Sequence, residues 1–260
     1  MKKKFYTSLM IAGALFLGLT SCTKDGNKAT LVVHLTDAPA NYEEVLIDVQ
    51  GIQIHSSLNE AEGTWTSLPV TAGVYNLLDF RNGLDALLAT AELPVGTISQ
   101  MRLVLGTNNR IKVGGVYHNL DTPSAQQSGL KFNIHAVLTE GITYDLWIDF
   151  DAARSIVAKG NGTYSLKPVI RTFNEAVTGA IKGVVLPVEA TATVRAIANG
   201  DTLSTIAAAD GKFLFKGIAA GTYKMLIEPK ATYTGRTIDN VVVATGLVTD
   251  MGSITVTPAL

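Results

Sequence analysis

Apolar and polar residues alternate along most of this chain. Leu31, Val33 and Leu35 alternate with Val32, His34 and Thr36, the period of a strand with one buried face. Asp37-Ala38-Pro39 then predicts its end. Val45, Ile47 and Val49 hold odd positions, but after Gly51 the apolar residues move to Ile52 and Ile54. A change of phase at a glycine predicts a β-bulge. Short strands are predicted from Trp65 to Val70 and from Val74 to Phe80, and a longer one from Ile98 to Leu105. Gly114-Gly115 between two such runs predicts a two-residue hairpin. A single helix is predicted where Leu84, Leu87, Leu88 and Ala91 fit an i, i+3, i+4, i+7 stripe closed by Pro94-Val95-Gly96.

The runs Lys131–Leu138 and Ile142–Phe150 carry the clearest alternation. Thr139-Glu140-Gly141 between them suits a three-residue loop, so the pair is predicted to be a hairpin. That register sets Phe132 beside Ile148 and Ile134 beside Leu146, with Lys131 opposite Asp149 and His135 opposite Asp145. Around Glu175–Gly179 the texture changes. Seven strand-like runs follow: Ile181–Leu186, Thr191–Ala198, Leu203–Ala207, Lys212–Lys216, Tyr223–Glu228, Arg236–Val243 and Gly252–Val256. Turn signals at Asn199-Gly200-Asp201 and Asp210-Gly211 separate some of them. The expected fold is mainly β: two antiparallel β-sandwich domains over 29–175 and 179–260, the first with one short helix.

The start of the chain has a different pattern. Lys2-Lys3-Lys4 precedes a short apolar run from Leu9 to Leu19. A spanning helix needs about 20 apolar residues, so this run reads as a secretory signal over 1–21. It ends in Leu19-Thr20-Ser21-Cys22, which resembles the bacterial lipobox. The resemblance implies cleavage before Cys22 and acylation of Cys22, the chain's one cysteine, with the lipid bilayer as its partner. Two or more acyl chains hold a protein stably at a membrane, where one does not. Residues 22–28 read as a polar, lipidated tether. Thr23 does not resemble the aspartate of inner-membrane retention, so the expected location is the cell envelope, at the outer membrane.

Composition narrows the chemistry. The net charge of −1 gives no electrostatic footprint for nucleic acid. With Cys22 acylated, no disulfide or thiolate metal site remains. No nucleophile elbow, zinc-protease helix, Walker loop or dinucleotide-binding glycine motif occurs. His34, His55, His118 and His135 lack metal-ligand spacing, and no cofactor is expected. Asp145, Trp147, Asp149 and Asp151 share one strand face. The candidate ligand patch is Asp145, Trp147 and Asp149, where carboxylates would take Ca²⁺ or hydroxyls and the indole would stack on a sugar. The alternative is cross-strand pairing with Lys131 and His135, with Trp147 packed under a loop or at a domain contact. Asp37 reads as a turn former, Phe213 and Phe215 as core, and Arg102 and Arg171 as buried partners of Asp149 or Asp151.

Two resemblances accompany this reading. Leu35-Thr36-Asp37-Ala38-Pro39, Val45–His55, Leu93-Pro94-Val95-Gly96 with Gln100-Met101-Arg102-Leu103, the run from Pro123 to Lys131, Asp149-Phe150-Asp151-Ala152 and the run from Leu166 to Arg171 resemble a family of bacterial lipoprotein domains of unknown function, over roughly 29–173. That family implies no activity. Gly183-Val184-Val185, Ala209–Phe215, Gly217-Ile218, Ala220-Gly221-Thr222-Tyr223 and Val241-Val242-Val243 resemble transthyretin-like, carboxypeptidase-regulatory-like β-sandwich modules. The expected function is a non-catalytic, lipid-anchored envelope protein, structural, adhesive or accessory to a surface complex. A glycan-binding accessory lipoprotein is the alternative, and a hydrolase the last choice.

Overall fold

A computed structural model describes residues 27–38, 40–56, 65–122, 129–160 and 162–259. The expected signal, the acylation site Cys22, most of the tether, Pro39 and the motif residues 123–128 lie outside the described residues. The first region contains β1 (Lys28–Ala38), β2 (Glu44–Ser56), β3 (Thr66–Leu68), β4 (Gly73–Asn76), β5 (Ala86–Pro94), β6 (Gly96–Leu105) and β7 (Arg110–Val113). It continues with β8 (Val116–Asp121), β9 (Leu130–Leu138), β10 (Thr143–Asp151), α1 (Ala152–Ser155), β11 (Ile156–Ala158), β12 (Tyr164–Leu166) and β13 (Ile170–Phe173). The molecule is mainly β, as the alternation predicts.

Two sheets close over the first core. One has four strands in the order β13-β10-β1-β5. The other has nine, ordered β11-β12-β8-β7-β2-β6-β9, with β3 and β4 also paired to β2. Most pairs are antiparallel; β1–β10 and β12–β8 are parallel. Leu31, Val33 and Leu35 of β1 point into the core, beside Ile148 and Phe150 of β10 and opposite Ile52, Met101 and Leu103. The β2–β6 register shifts between Val49 and Gly51, as the phase change predicts. Gly114 and Gly115 both take positive φ in the tight β7–β8 turn.

Two expectations fail here. The helix predicted around Leu84–Ala91 is strand β5, antiparallel to β1. Asn82 and Gly83 just before it have positive φ, which a right-handed helix cannot include. Leu84 and Leu87 are exposed, while the adjacent Leu88 and Ala89 are both buried. A register shift between Val33 and His34 lies within the same ladder. The open edge of β1 supplies backbone partners that outweigh the helix propensity of leucine and alanine. The short helix falls instead at Ala152–Ser155, with Asp151 as its N-cap accepting from Arg154 N at 2.9 Å.

The predicted β9–β10 hairpin does not form either. Gly141 does take positive φ, and Ile142 N donates to Thr139 O at 3.0 Å. The turn, however, carries the chain from the edge of the nine-stranded sheet to the centre of the other. There β10 pairs with β1 and β13, while β9 pairs with β6. The pairs Phe132–Ile148, Ile134–Leu146, Lys131–Asp149 and His135–Asp145 are therefore absent. The apolar faces meet across the core instead of lying side by side.

The second region comprises β14 (Gly179–Leu186), β15 (Thr193–Ala198), β16 (Asp201–Ile206), β17 (Lys212–Ile218), β18 (Gly221–Glu228), β19 (Tyr233–Thr234), β20 (Arg236–Val243), β21 (Val248–Thr255) and β22 (Thr257–Pro258). Its sheets β17-β14-β21 and β16-β15-β18-β20 enclose a separate core around Ile181, Val194, Phe213, Met225 and Val243. Phe213 and Phe215 are buried there, as expected.

Candidate functional site

The parallel β1–β10 pairing determines what the expected patch becomes. It sets His34 beside Trp147, and β13 sets Phe173 on the other side of Trp147. The His34 and Trp147 rings stack with centroids 4.4 Å apart, and Trp147 and Phe173 with centroids 5.9 Å apart. Lys216 of β17 then lies over the indole, its Nζ 3.4 Å from the ring centroid, and also pairs with Glu175. Trp147 is 5% exposed, packed where the two regions meet. Asp145 is half exposed, with His34 Nε2 at 3.7 Å; His34 Nδ1 lies 2.7 Å from Asp85. Asp145, Trp147 and Asp149 share a face, but the second region covers most of it.

Asp149 anchors the seam. Arg171 donates to its Oδ2 from Nη2 at 2.6 Å and from Nε at 3.0 Å. The same guanidinium donates onward to the carbonyls of Gly217 and Lys216 in β17. One arginine thus joins a strand of the first region to the backbone of the second. Gly217 has φ +65, and a Cβ there would sit 2.0 Å from the Phe173 ring. Only glycine permits both that backbone and that approach. Asn82 and Gly83 extend the seam toward Thr205 and Leu214.

Beside it lies a cleft of about 380 Å³, lined by Asp37, Asp149, Asp151, Arg154, Arg171 and Lys216 among others. Asp37 is no free turn residue: it lies inside β1, 6% exposed. Its Oδ1 accepts from Ala152 N at 3.0 Å, while Oδ2 is buried without a partner. Burial pushes its carboxyl well above the usual range. Asp149 and Asp151 push the same way, against the Ala152 N–H and Arg81. Burial likewise raises Asp151, against its cap bond from Arg154 N. Among the described residues no group of three or more His, Cys, Asp or Glu is placed to hold a metal ion. The cleft thus holds two carboxyls that burial pushes upward, beside the Arg171–Asp149 ion pair.

Arg171 takes the carboxylate partner that its apolar setting suggested; Arg102 does not. Arg102 lies on the outer face of the nine-stranded sheet, with its Cζ 4.4 Å from the Trp65 ring centroid and its Nε donating to Gln53. The reading from sequence used Trp65 only as the start of a short strand. The available signal was its place just before a strand whose next-but-one residue, Ser67, faces outward. Asp48 was also missed. It is buried and accepts from Asn108 N at 3.0 Å and from Gln50 Nε2, fixing the loop before β7.

A mainly β chain with a buried aromatic seam between two cores defines the fold class. Its family is more specific. The model of the domain of unknown function (DUF4382) matches residues 28–168, and the chain belongs to that family. No curated protein matches the chain. Among solved structures, a type II cohesin–X-dockerin complex from Acetivibrio cellulolyticus shares 27% identity over 30% of this chain and 56% of that one, at a TM-score of 0.24. The Bacillus anthracis TIE protein shares 11% identity over 89% of this chain and 34% of that one, at 0.26. The shaft pilin SpaA from Lactobacillus rhamnosus GG shares 12% over 90% and 98%, at 0.25. The match spans about half of the first of these chains and a third of the second. TM-scores this low carry no functional weight.

Proposed function

We propose that the chain is a lipid-anchored, non-catalytic protein of the cell envelope, a rigid two-domain body tethered through acylated Cys22. The observation that carries this reading is Leu19-Thr20-Ser21-Cys22 after a short basic-then-apolar start. The structure supports the rigid part. Separate cores over 29–166 and 181–256 meet through Arg171, Lys216 and the Trp147 stack. Such a seam suits a body that holds a fixed shape for structural or accessory work at a surface. We place the domain boundary at 175–179, where the connection carries one 3₁₀ turn, Glu175–Val177.

The test is fractionation. Wild-type protein should partition into detergent, sediment with membranes and incorporate labelled fatty acid. Cys22→Ala should lose the label and move to the soluble fraction. A Cys22→Ala protein that stays in the membrane fraction with unchanged mobility would refute the anchor.

A further inference from the structure

We infer that the outer face of the nine-stranded sheet around Trp65 binds an anionic polysaccharide, one that carries carboxylates among its hydroxyls. This goes beyond the anchored structural role and does not depend on it.

Register builds the face. Ile52, Ile54, Met101, Leu103, Leu130 and Ile134 turn inward, so by alternation their neighbours turn outward. Gln53 pairs with Ser67 of β3 on one side and Arg102 of β6 on the other, and Arg102 pairs with Lys131 of β9. One row thus crosses four strands, about 14 Å at sheet spacing. The next row is offset by about 7 Å. In it Gln100 pairs with both His55 and Asn133, and Gln100 Nε2 donates to Asn133 Oδ1 at 3.1 Å. Trp65 sits at the β2 end of this row, half-buried, its ring centroid 5.7 Å from that of His55.

The chemistry of the face is mixed in a definite way. Arg102 lies over the Trp65 ring and Lys131 Nζ lies 5.9 Å from it. Among the described residues neither Arg102 nor Lys131 forms an ion pair. Two cations beside an aromatic ring, neither ion-paired among the described residues, suit an anion. Amides at Gln53, Gln100 and Asn133 supply donors and acceptors together, which suits hydroxyl groups more than phosphates. The indole supplies an apolar surface for a sugar ring. A flat sheet fits an extended chain.

The test uses the full chain in affinity electrophoresis and calorimetry, with polygalacturonate as the anionic probe. Dextran, single-stranded DNA and anionic phospholipid vesicles are the comparators. Polygalacturonate should bind, and the three comparators should bind at least about tenfold more weakly, 1.4 kcal/mol. Trp65→Ala should weaken polygalacturonate about tenfold. Lys131→Glu, a change at an exposed strand position that does not threaten folding, should do the same. Tyr117→Ala, at an exposed aromatic on β8, should change nothing. Failure to bind polygalacturonate overturns the proposal. So does equal binding of dextran, or equal binding of DNA or vesicles, which would mark a charge patch alone. Unchanged affinity in Lys131→Glu overturns it as well.

Discussion

The two regions of this molecule solve the same problem with different wiring. In the second region one short turn makes sequence neighbours sheet neighbours, and the longest reach is the parallel pairing of β14 with β21, about seventy residues on. Asn199 and Gly200 take positive φ and lock β15 to β16 directly. In the first region the chain repeatedly leaves one sheet for the other. β1 finds its partner β10 more than a hundred residues away, and β2 binds four different strands. Alternation identifies strands in both regions equally well. It identifies partners only where the connection is too short to allow a choice. Non-local pairing also delays folding, because loop closure must precede the contacts that stabilise it. The second region should therefore form first, and the seam should stabilise the first.

The largest test of that dependence is Trp147→Ala. The indole lies between His34, Phe173 and Lys216, so its removal leaves a cavity where the regions meet. The expected cost is about 3–5 kcal/mol. In calorimetry it should appear as a lowered first-region transition separating from a nearly unchanged second-region transition. A single transition that simply moves down would show that the regions fold as one unit. A stable variant that loses affinity for sugar or Ca²⁺ would return Trp147 to the role of a ligand platform.

That outcome also measures how much of the site was legible. The shared face of Asp145, Trp147 and Asp149 follows from strand period alone, and so does the need of Arg171 for a carboxylate. What covers the face does not follow. Lys216 and Gly217 lie some seventy residues further on, and nothing in their alternation marks them as lids. Pairing Lys131 with Asp149 failed for a related reason. The turn at Gly141 is real, yet a loop of that length fits a hairpin within one sheet or a crossing between two. Asp37 was misplaced because Asp-Ala-Pro normally marks a turn; here the parallel partner β10 extends the strand through Asp37 and Ala38. Trp65 was read only as the start of a strand, because one aromatic beside a short strand has no periodic signature of its own.

Asp37 supplies a test of intermediate size. Its carboxyl is raised chiefly by burial, with Asp149 and Asp151 adding to the shift and Ala152 N–H and Arg81 opposing it. A raised folded-state value means the folded protein holds this proton more tightly than the unfolded chain does. Stability from this group is complete below the unfolded value of 3.8 and declines as pH rises through the folded one. Asp37→Asn keeps an oxygen for Ala152 N and removes the ionisation. Denaturant melts between about pH 4 and pH 8 should show a flatter profile for Asp37→Asn, most improved relative to wild type at the alkaline end. Asp151 has the same sign, so some slope should remain. Identical profiles would mean that Asp37 is ionised in the folded protein at no cost.

The smallest test addresses the sharpest disagreement between pattern and structure. Leu87 belongs to the stripe that predicts a helix, yet it lies on β5 with 53% of its surface exposed. It pairs with His34 across the β1 ladder. Threonine is a weaker helix former than leucine and a better strand former, and at this position little apolar burial is at stake. In a helix, Leu87→Thr would cost a few tenths of a kcal/mol in propensity and more in lost packing. In the strand it should change stability by no more than about 0.5 kcal/mol, with either sign allowed. Leu88, the next residue, gives the contrast: it is fully buried, so Leu88→Thr should be much the more damaging. Equal costs at the two positions would mean that the surface of β5 is not divided as the ladder requires, and that Leu84–Ala91 presents one continuous apolar stripe after all.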